Sequence, residues 1–219
     1  MIGKVGLFVL IAIGLLFSQC NEMKGNSFVP APADYVSDKH TRVLLKRPLR
    51  EISGIDFISE SELIAVNDEA GKIFYLNPEN GEHRVFEFGK KGDYEDVVKV
   101  NDKFYVLNSV GSLYVVSAQS NKQEAVFAGD FGKHMEFESL CYDQERNQLL
   151  LICKECGKMQ RSIIAYSFNL SDNSFSPEPF FSVSWDEIRR MGKDNSIECR
   201  PSAAAINPVN KKLYIIAFL

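Results

Sequence analysis

The chain of 219 residues has one tryptophan, three histidines and no excess of positive charge. The histidines (His40, His83 and His134) are too scattered to predict a catalytic metal site built from histidine. A net charge of −4 argues against nucleic acid as the main partner, because phosphate binding needs a basic surface. Hydrophobic residues make up 45% of the chain and charged residues 25%, which excludes a disordered, collagen-like or polytopic membrane protein.

The longest apolar stretch lies near the amino terminus. Lys4 precedes an apolar and glycine run from Val5 to Phe17, which is too short for a bilayer core of about 30 Å and is typical of a signal peptide. A short buried helix is the less favoured alternative. The run leads into Ser18-Gln19-Cys20, which resembles a bacterial lipoprotein signal with Cys20 as the lipidated residue. Ordinary secretion is the alternative.

These features predict a chain of three parts. Residues 1–19 are the signal peptide, residues 20–34 the lipidated cysteine with a flexible Gly/Pro-rich tether, and residues 35–219 the folded domain. We therefore expect a membrane-anchored lipoprotein of the cell envelope, facing the periplasm or the outside.

The folded domain contains a repeat of 42 to 43 residues, whose copies open at Glu51, Asp93 and Glu136, with a fourth opening at Arg200. Each complete copy offers four short segments rich in β-branched and aromatic residues. The second segment of each copy (LIAV, FYVL, LLLI, LYII) is apolar on both faces, as expected for a strand covered on both sides. The pattern predicts an all-β fold, a β-propeller of four-stranded blades, with an irregular β-sandwich as the alternative.

The number of repeats predicts three blades plus a partial fourth, so the chain looks truncated relative to a propeller of five or six blades. We expect an open arc that is less soluble than a version extended by further repeats. Thr41 to Arg47 reads as a strand that would close a final blade. The third copy is longer than the others, and Ser184 and Glu187 have capping-box spacing, which predicts a short surface helix there.

Five segments carry a resemblance to a known family. They are residues 51–55 (EISGI), 65–69 (AVNDE), 93–97 (DYEDV), 137–140 (FESL) and 201–208 (PSAAAINP). Together they resemble the blade-opening motifs of the SdiA-regulated (YjiK-like) family, over about residues 35 to 217. The resemblance implies an NHL-repeat-like propeller carried on the cell envelope, with a calcium site and no established activity.

The first strand of each blade is expected to line the central channel and to carry acids there. Alignment puts acids at the opening position of three copies, and again two residues later in two of them, where i and i+2 share a strand face. Converging carboxylates repel one another unless a cation neutralises them, and oxygen ligands suit Ca²⁺. The predicted metal ligands are Glu51, Asp93, Glu95, Glu136 and Glu138, with Asn67, Asp68 and Glu69 as secondary candidates. For each acid, turn capping or solvent exposure is the alternative.

Four cysteines lie in the folded domain: Cys141, Cys153, Cys156 and Cys199. Cys153 and Cys156 form a CxxC motif, which is compatible with redox activity, half of a metal site or a set of disulfide partners. A four-cysteine zinc site would need Cys141 and Cys199 to join it. Buried free thiols are the remaining alternative.

The sequence identifies no reaction, because it has no nucleophile elbow and no phosphate-binding glycine loop. The first hypothesis is a lipid-anchored module that binds an unknown protein or small-molecule ligand. The alternative is a metal-dependent hydrolase or lactonase with Ca²⁺ in the channel. His134 is the only histidine near a channel-lining strand that could act as its base.

Overall fold

The computed structural model of the protein describes residues 42–157, 161–192 and 198–218. Within these ranges the chain forms one antiparallel sheet for each predicted copy, and the sheets follow one another along the chain. The all-β fold is confirmed: two four-stranded blades and a third blade of five strands are followed by a two-stranded fourth sheet. Cys20, the tether and the signal peptide lie outside the described residues. In the described part of the chain, no helix is long and apolar enough to cross a membrane.

The blades have regular bounds. Blade 1 consists of β1 (Ile52–Ser59), β2 (Glu62–Asn67), β3 (Lys72–Leu76) and β4 (His83–Glu87). Blade 2 consists of β5 (Tyr94–Val100), β6 (Lys103–Asn108), β7 (Leu113–Ser117) and β8 (Gln123–Phe127). Blade 3 contains β9 (Met135–Asp143), β10 (Gln148–Cys156), β11 (Ser162–Asn169), β12 (Ser174–Phe175) and β13 (Phe181–Ser184). After a helix, α1 (Trp185–Gly192), the fourth sheet pairs β14 (Arg200–Ile206) with β15 (Leu213–Phe218).

The second strand of each complete blade is covered on both faces, as its sequence predicts. Along β6, Phe104 and Val106 pack into the core between blades 1 and 2, whereas Tyr105 and Leu107 pack into the core between blades 2 and 3. Along β10 the alternation continues, with Leu149 in the core between blades 2 and 3 and Leu150 in the core between blade 3 and the fourth sheet. Each buried large side chain contributes about 1.5–3 kcal/mol, so successive blades are held together by the same strands that form them.

The outer edge of blade 3 differs from the prediction. The sequence predicts one fourth strand at residues 178–182, but two short strands, β12 and β13, share this position and both pair with β11. Pro177 and Pro179 lie between them. Proline has no N–H to donate to a strand ladder, so pairing stops and resumes after the prolines.

The predicted helix is confirmed. The hydroxyl of Ser184 accepts a hydrogen bond from the Glu187 N–H (3.2 Å), and the Glu187 carboxylate accepts one from the Ser184 N–H (3.0 Å). This reciprocal capping box begins α1 at Trp185.

The segment before blade 1 forms no closing strand in its described part. Residues 42–46 are irregular and lie against the turn between β3 and β4. The Lys46 ammonium lies 3.0 Å from the Glu82 carboxylate in that turn. A three-residue 3₁₀ turn, Arg47–Leu49, then leads into β1, and Leu49 is buried against blade 1.

Candidate functional site at the channel rim and the axial groove

The innermost strands of all four sheets share one irregularity. Each carries a β-bulge at the same position of the repeat, so one residue is skipped in pairing with the next strand. The skipped residues are Ser53 in β1, Glu95 in β5, Glu138 in β9 and Ser202 in β14. A bulge leaves its residue outside the ladder and re-aims the side chain. We call these four residues and their neighbours the rim.

Lys154 supplies a positive charge at the rim. Its ammonium lies 2.6 Å from the Glu138 carboxylate and 3.4 Å from the Glu136 carboxylate. The Glu138 side chain is largely buried, so this pair is less screened by water than a surface salt bridge. The structure therefore brings together two of the predicted acids, but around a lysine that the repeat pattern did not indicate.

Glu95 is the acid with the most perturbed ionisation. Burial raises its pKa to about 8, and the negative charges of Glu138 and Asp93 add to the increase. A hydrogen bond to the Asp93 carboxylate also favours the protonated form, whereas Lys154 opposes it. Glu95 is therefore protonated for much of the time at neutral pH.

The other predicted ligands lie less centrally. Glu51 is exposed just before β1, and Glu69 is exposed after β2. Among the described residues, the side-chain Oδ1 atoms of Asn67 and Asp68 are buried and meet no hydrogen-bond partner. The Asp68 carbonyl accepts a hydrogen bond from the Tyr94 N–H (2.9 Å), which joins the end of β2 to the start of β5.

The predicted calcium set can be compared with this geometry. Within residues 42–157, 161–192 and 198–218, no group of three or more His, Cys, Asp or Glu side chains is arranged to hold a metal ion. Lys154 already compensates two of the carboxylates. A cation at this rim would therefore compete with the lysine ammonium.

Sequence reasoning missed a second pair of acids, Asp56 and Asp96, which bridge neighbouring blades. Asp56 accepts a hydrogen bond from the Lys99 N–H in β5 (2.7 Å). Asp96 accepts one from the Leu140 N–H in β9 (2.7 Å) and one from the Ser139 hydroxyl (3.1 Å). Burial nevertheless dominates and raises the pKa of Asp96 to about 7.

The signal for these bridges was present in the sequence, because each one joins residues about one repeat apart. The bond from Lys99 to Asp56 spans 43 positions and the bond from Leu140 to Asp96 spans 44. The side chains bond to backbone groups, however, and a backbone partner leaves no residue-type pattern to read.

Between the innermost strands lies a groove of about 580 Å³. We call it the axial groove. Its lining comes from β1, β5, β9 and β14, together with Arg146 and Phe180. Two lining residues of β1, Ile55 and Phe57, expose 52% and 62% of their surface. The groove thus combines exposed apolar side chains with basic residues such as Lys99 and Lys211. Its volume is within the range of small-molecule and peptide sites.

The hydrolase hypothesis needs His134 close to the acids. His134 lies in the turn before β9, is exposed, and adopts a left-handed backbone conformation with φ of 66°. His134 does not line the axial groove. The groove wall instead holds the buried Asp143, whose carboxylate lies 3.0 Å from the Arg146 guanidinium.

The chain is similar to several solved structures. One is U3-55K, with a TM-score of 0.44 and 15% identity over 60% of this chain and 39% of that chain. Another is the WD40 repeats of RRP9, with a TM-score of 0.43 and 15% identity over 60% of this chain and 38% of that chain. A third is the computationally designed Ika4 protein, with a TM-score of 0.47 and 8% identity over 83% of this chain and 99% of that chain.

The chain spans about two fifths of the length of the first two structures, which it matches at 39% and 38%. No protein-family model and no curated protein matches it. The resemblance to SdiA-regulated proteins therefore stays a hypothesis.

Proposed function

We propose that this protein is a lipid-anchored β-propeller of the cell envelope that binds a protein or small-molecule ligand in its axial groove. The observation that carries the proposal is the exposure of Ile55 and Phe57 on the innermost strand of blade 1, within a groove of about 580 Å³. Large apolar side chains exposed together in a concave surface are typical of a binding site.

The residues of the groove favour a binding role over a catalytic one. Its acids Asp56 and Asp96 are engaged in hydrogen bonds that join blades, and the buried Asp143 pairs with Arg146, so these carboxylates serve the fold. The bases at its wall, Lys99 and Lys211, supply charge for an anionic group of a ligand.

The groove proposal is tested with two matched pairs of substitutions. Ile55→Ser with Phe57→Ser removes the apolar groove surface, whereas Val85→Ser with Val126→Ser removes similarly exposed valines from the outermost strands β4 and β8. A partner cross-linked to the full-length protein in intact cells should be lost with the groove pair and kept with the control pair. Equal cross-linking by both pairs would mean that the partner binds elsewhere.

The anchoring part of the proposal rests on the run that ends at Cys20. Several acyl chains on one cysteine bind membranes stably, because each buried CH₂ contributes about 0.8 kcal/mol. Cys20→Ser should move the protein from the membrane fraction to the soluble fraction without changing its circular dichroism spectrum. A variant that still fractionates with membranes after signal cleavage would contradict lipidation at Cys20.

Ca²⁺ binding at the rim is a second candidate function. It is favoured by the repulsion between Glu95 and Glu138, which a divalent cation would relieve. Glu95→Gln with Glu138→Gln should weaken binding in a calorimetric Ca²⁺ titration, whereas Glu22→Gln in the tether should not. Equal affinity in both variants would place the cation elsewhere. The hydrolase or lactonase hypothesis depends on this cation and on His134 as a base, so an absence of Ca²⁺ binding would remove it too.

A further inference from the structure

The CxxC motif lies at the end of β10, where the strand has a second bulge. Cys153 pairs with Phe137 and Glu155 pairs with Glu136, so Lys154 is skipped between them. Residues three apart on a regular strand point to opposite faces, but one extra residue brings them to the same face. Cys153 and Cys156 accordingly both lie in the core between blades 2 and 3.

The other two cysteines lie on the opposite side of the blade 3 sheet. Cys141 and Cys199 belong to the core between blade 3 and the fourth sheet. The four thiols are free and buried, and the fold separates them into two pairs. Burial raises the pKa of Cys141 to about 12, which makes that thiol unreactive.

The two thiols of the motif interact with each other and with nearby carbonyls. Cys153 Sγ donates to the Glu155 carbonyl (3.0 Å), and Cys156 Sγ lies 3.7 Å from the Cys153 carbonyl. A hydrogen bond between the thiols raises the pKa of Cys153 and lowers that of Cys156. Cys153 is fully inaccessible, whereas Cys156 ends the strand and is 5% exposed. Cys156 is therefore the thiol that ionises and reacts first.

We propose that Cys153 and Cys156 form a reversible redox pair that closes a disulfide across the Lys154 bulge by exchange with a low-molecular-weight disulfide. The Cys156 thiolate attacks one sulfur of that disulfide, forms a mixed disulfide and releases one small thiolate. Cys153 then gives its proton to the released thiolate and attacks the Cys156 sulfur, which releases the second small thiolate. That thiolate takes up the proton that Cys156 lost to water when it ionised. Two protein thiols are oxidised and one small disulfide is reduced to two thiols.

The bulge connects this pair to the rim. Lys154 lies inside the four-residue loop that the disulfide would close, and its ammonium pairs with Glu138 and Glu136. Closing the loop restricts the backbone of Lys154, so oxidation changes the freedom of the charge that compensates the rim acids.

The position of Lys154 also makes the test direct, because trypsin cleaves after it. The full chain is incubated with oxidised glutathione, quenched in acid, alkylated in denaturant and digested. We expect peptides 147–154 and 155–158 to appear joined by a disulfide. Where Lys154 is not cleaved, we expect peptide 147–158 with a mass lower by two hydrogens than that of its reduced form. Peptides 134–146 and 194–211, which contain Cys141 and Cys199, should be alkylated; the second peptide runs to Lys211 because trypsin does not cleave the Arg200–Pro201 bond.

Two variants define the outcome. Cys141→Ser should keep the joined peptides, whereas Cys156→Ser should leave Cys153 alkylated. Alkylation of all four domain cysteines in the wild type would overturn the proposal. So would a disulfide to Cys141 or Cys199, or a lasting glutathione adduct on Cys156, since each shows that Cys153 does not reach its partner.

Discussion

Glu95 illustrates how a bulge changes the chemistry of one residue. Its side chain leaves the strand ladder and meets the charges of Asp93 and Glu138 in a half-buried place. Because burial and like charges both disfavour the carboxylate, its pKa rises from the ordinary 4.5 to about 8. The folded state therefore binds this proton more tightly than the unfolded state does.

The sign of the resulting pH dependence follows from linkage. The contribution of Glu95 to the free energy of unfolding is fully present below about pH 4.5 and is lost as the pH rises through about 8. Between about pH 5 and pH 9, the free energy of unfolding should fall less in Glu95→Gln than in the wild type. Urea unfolding at the two pH values measures this difference.

The pKa of Asp96 is also raised. Because Asp96 is present in both the wild type and Glu95→Gln, its contribution to the pH dependence is the same in the two proteins and cancels when they are compared. Glu60→Gln, in the exposed turn after β1, is the matched control and should retain the wild-type fall. An unchanged pH dependence in Glu95→Gln would show that its proton is not held by the fold.

At the scale of elements, neighbouring blades approach most closely along their innermost strands. Gly54 in β1 faces Asp96 in β5, and a Cβ atom built on Gly54 would lie 2.9 Å from the Val97 nitrogen and closer still to the Asp96 Cα. The residues equivalent to Gly54 in blades 2 and 3 are Asp96 and Ser139, and the Ser139 hydroxyl donates a hydrogen bond to the Asp96 carboxylate. Glycine in the first copy therefore makes room for the bridging carboxylate of the second.

This contact predicts the effect of one added methyl group. Gly54→Ala should destabilise the fold by about 1–3 kcal/mol, because the obstructing atoms are backbone and the strands have to separate. Chemical denaturation measures the change. Ser59→Ala, at the exposed end of the same strand, should change stability by less than about 0.5 kcal/mol. A Gly54→Ala protein as stable as this control would show that β1 and β5 are not packed so closely.

At the scale of the 219-residue chain, the fourth sheet is the place where we expect association with other chains. In the described part of the chain, β15 pairs with β14 alone, so its other edge has no strand partner. Tyr214 and Ile216 share one face of β15 and expose 46% and 64% of their surface. An open strand edge with exposed apolar side chains favours association with other chains.

Charged residues on this strand should reduce that association. Tyr214→Lys with Ile216→Lys should shift the sedimentation profile of this 219-residue chain toward monomer. Val85→Lys with Val126→Lys adds the same charge to the outermost strands of blades 1 and 2, and should change the profile less. A wild-type protein that is monomeric at every concentration would contradict this reading of β15.

The sequence by itself determined the blades. The 42- to 43-residue period and the strands that are apolar on both faces follow from local chain patterns, and the structure confirms them in β2, β6 and β10. The capping box at Ser184 was equally readable, because its hydrogen bonds join residues three apart. Repetition also showed that Glu95 and Glu138 occupy equivalent positions.

Only the tertiary structure decided what those acids meet. The bulges that re-aim Glu95 and Glu138 depend on pairing between strands, and Lys154 reaches Glu138 only because the bulges of β9 and β10 adjoin. The bonds from Asp56 and Asp96 go to backbone N–H groups of the next blade, which every residue type except proline supplies. Side-chain patterns record which faces are buried, whereas the approach of one backbone to another is determined by the packing of whole blades.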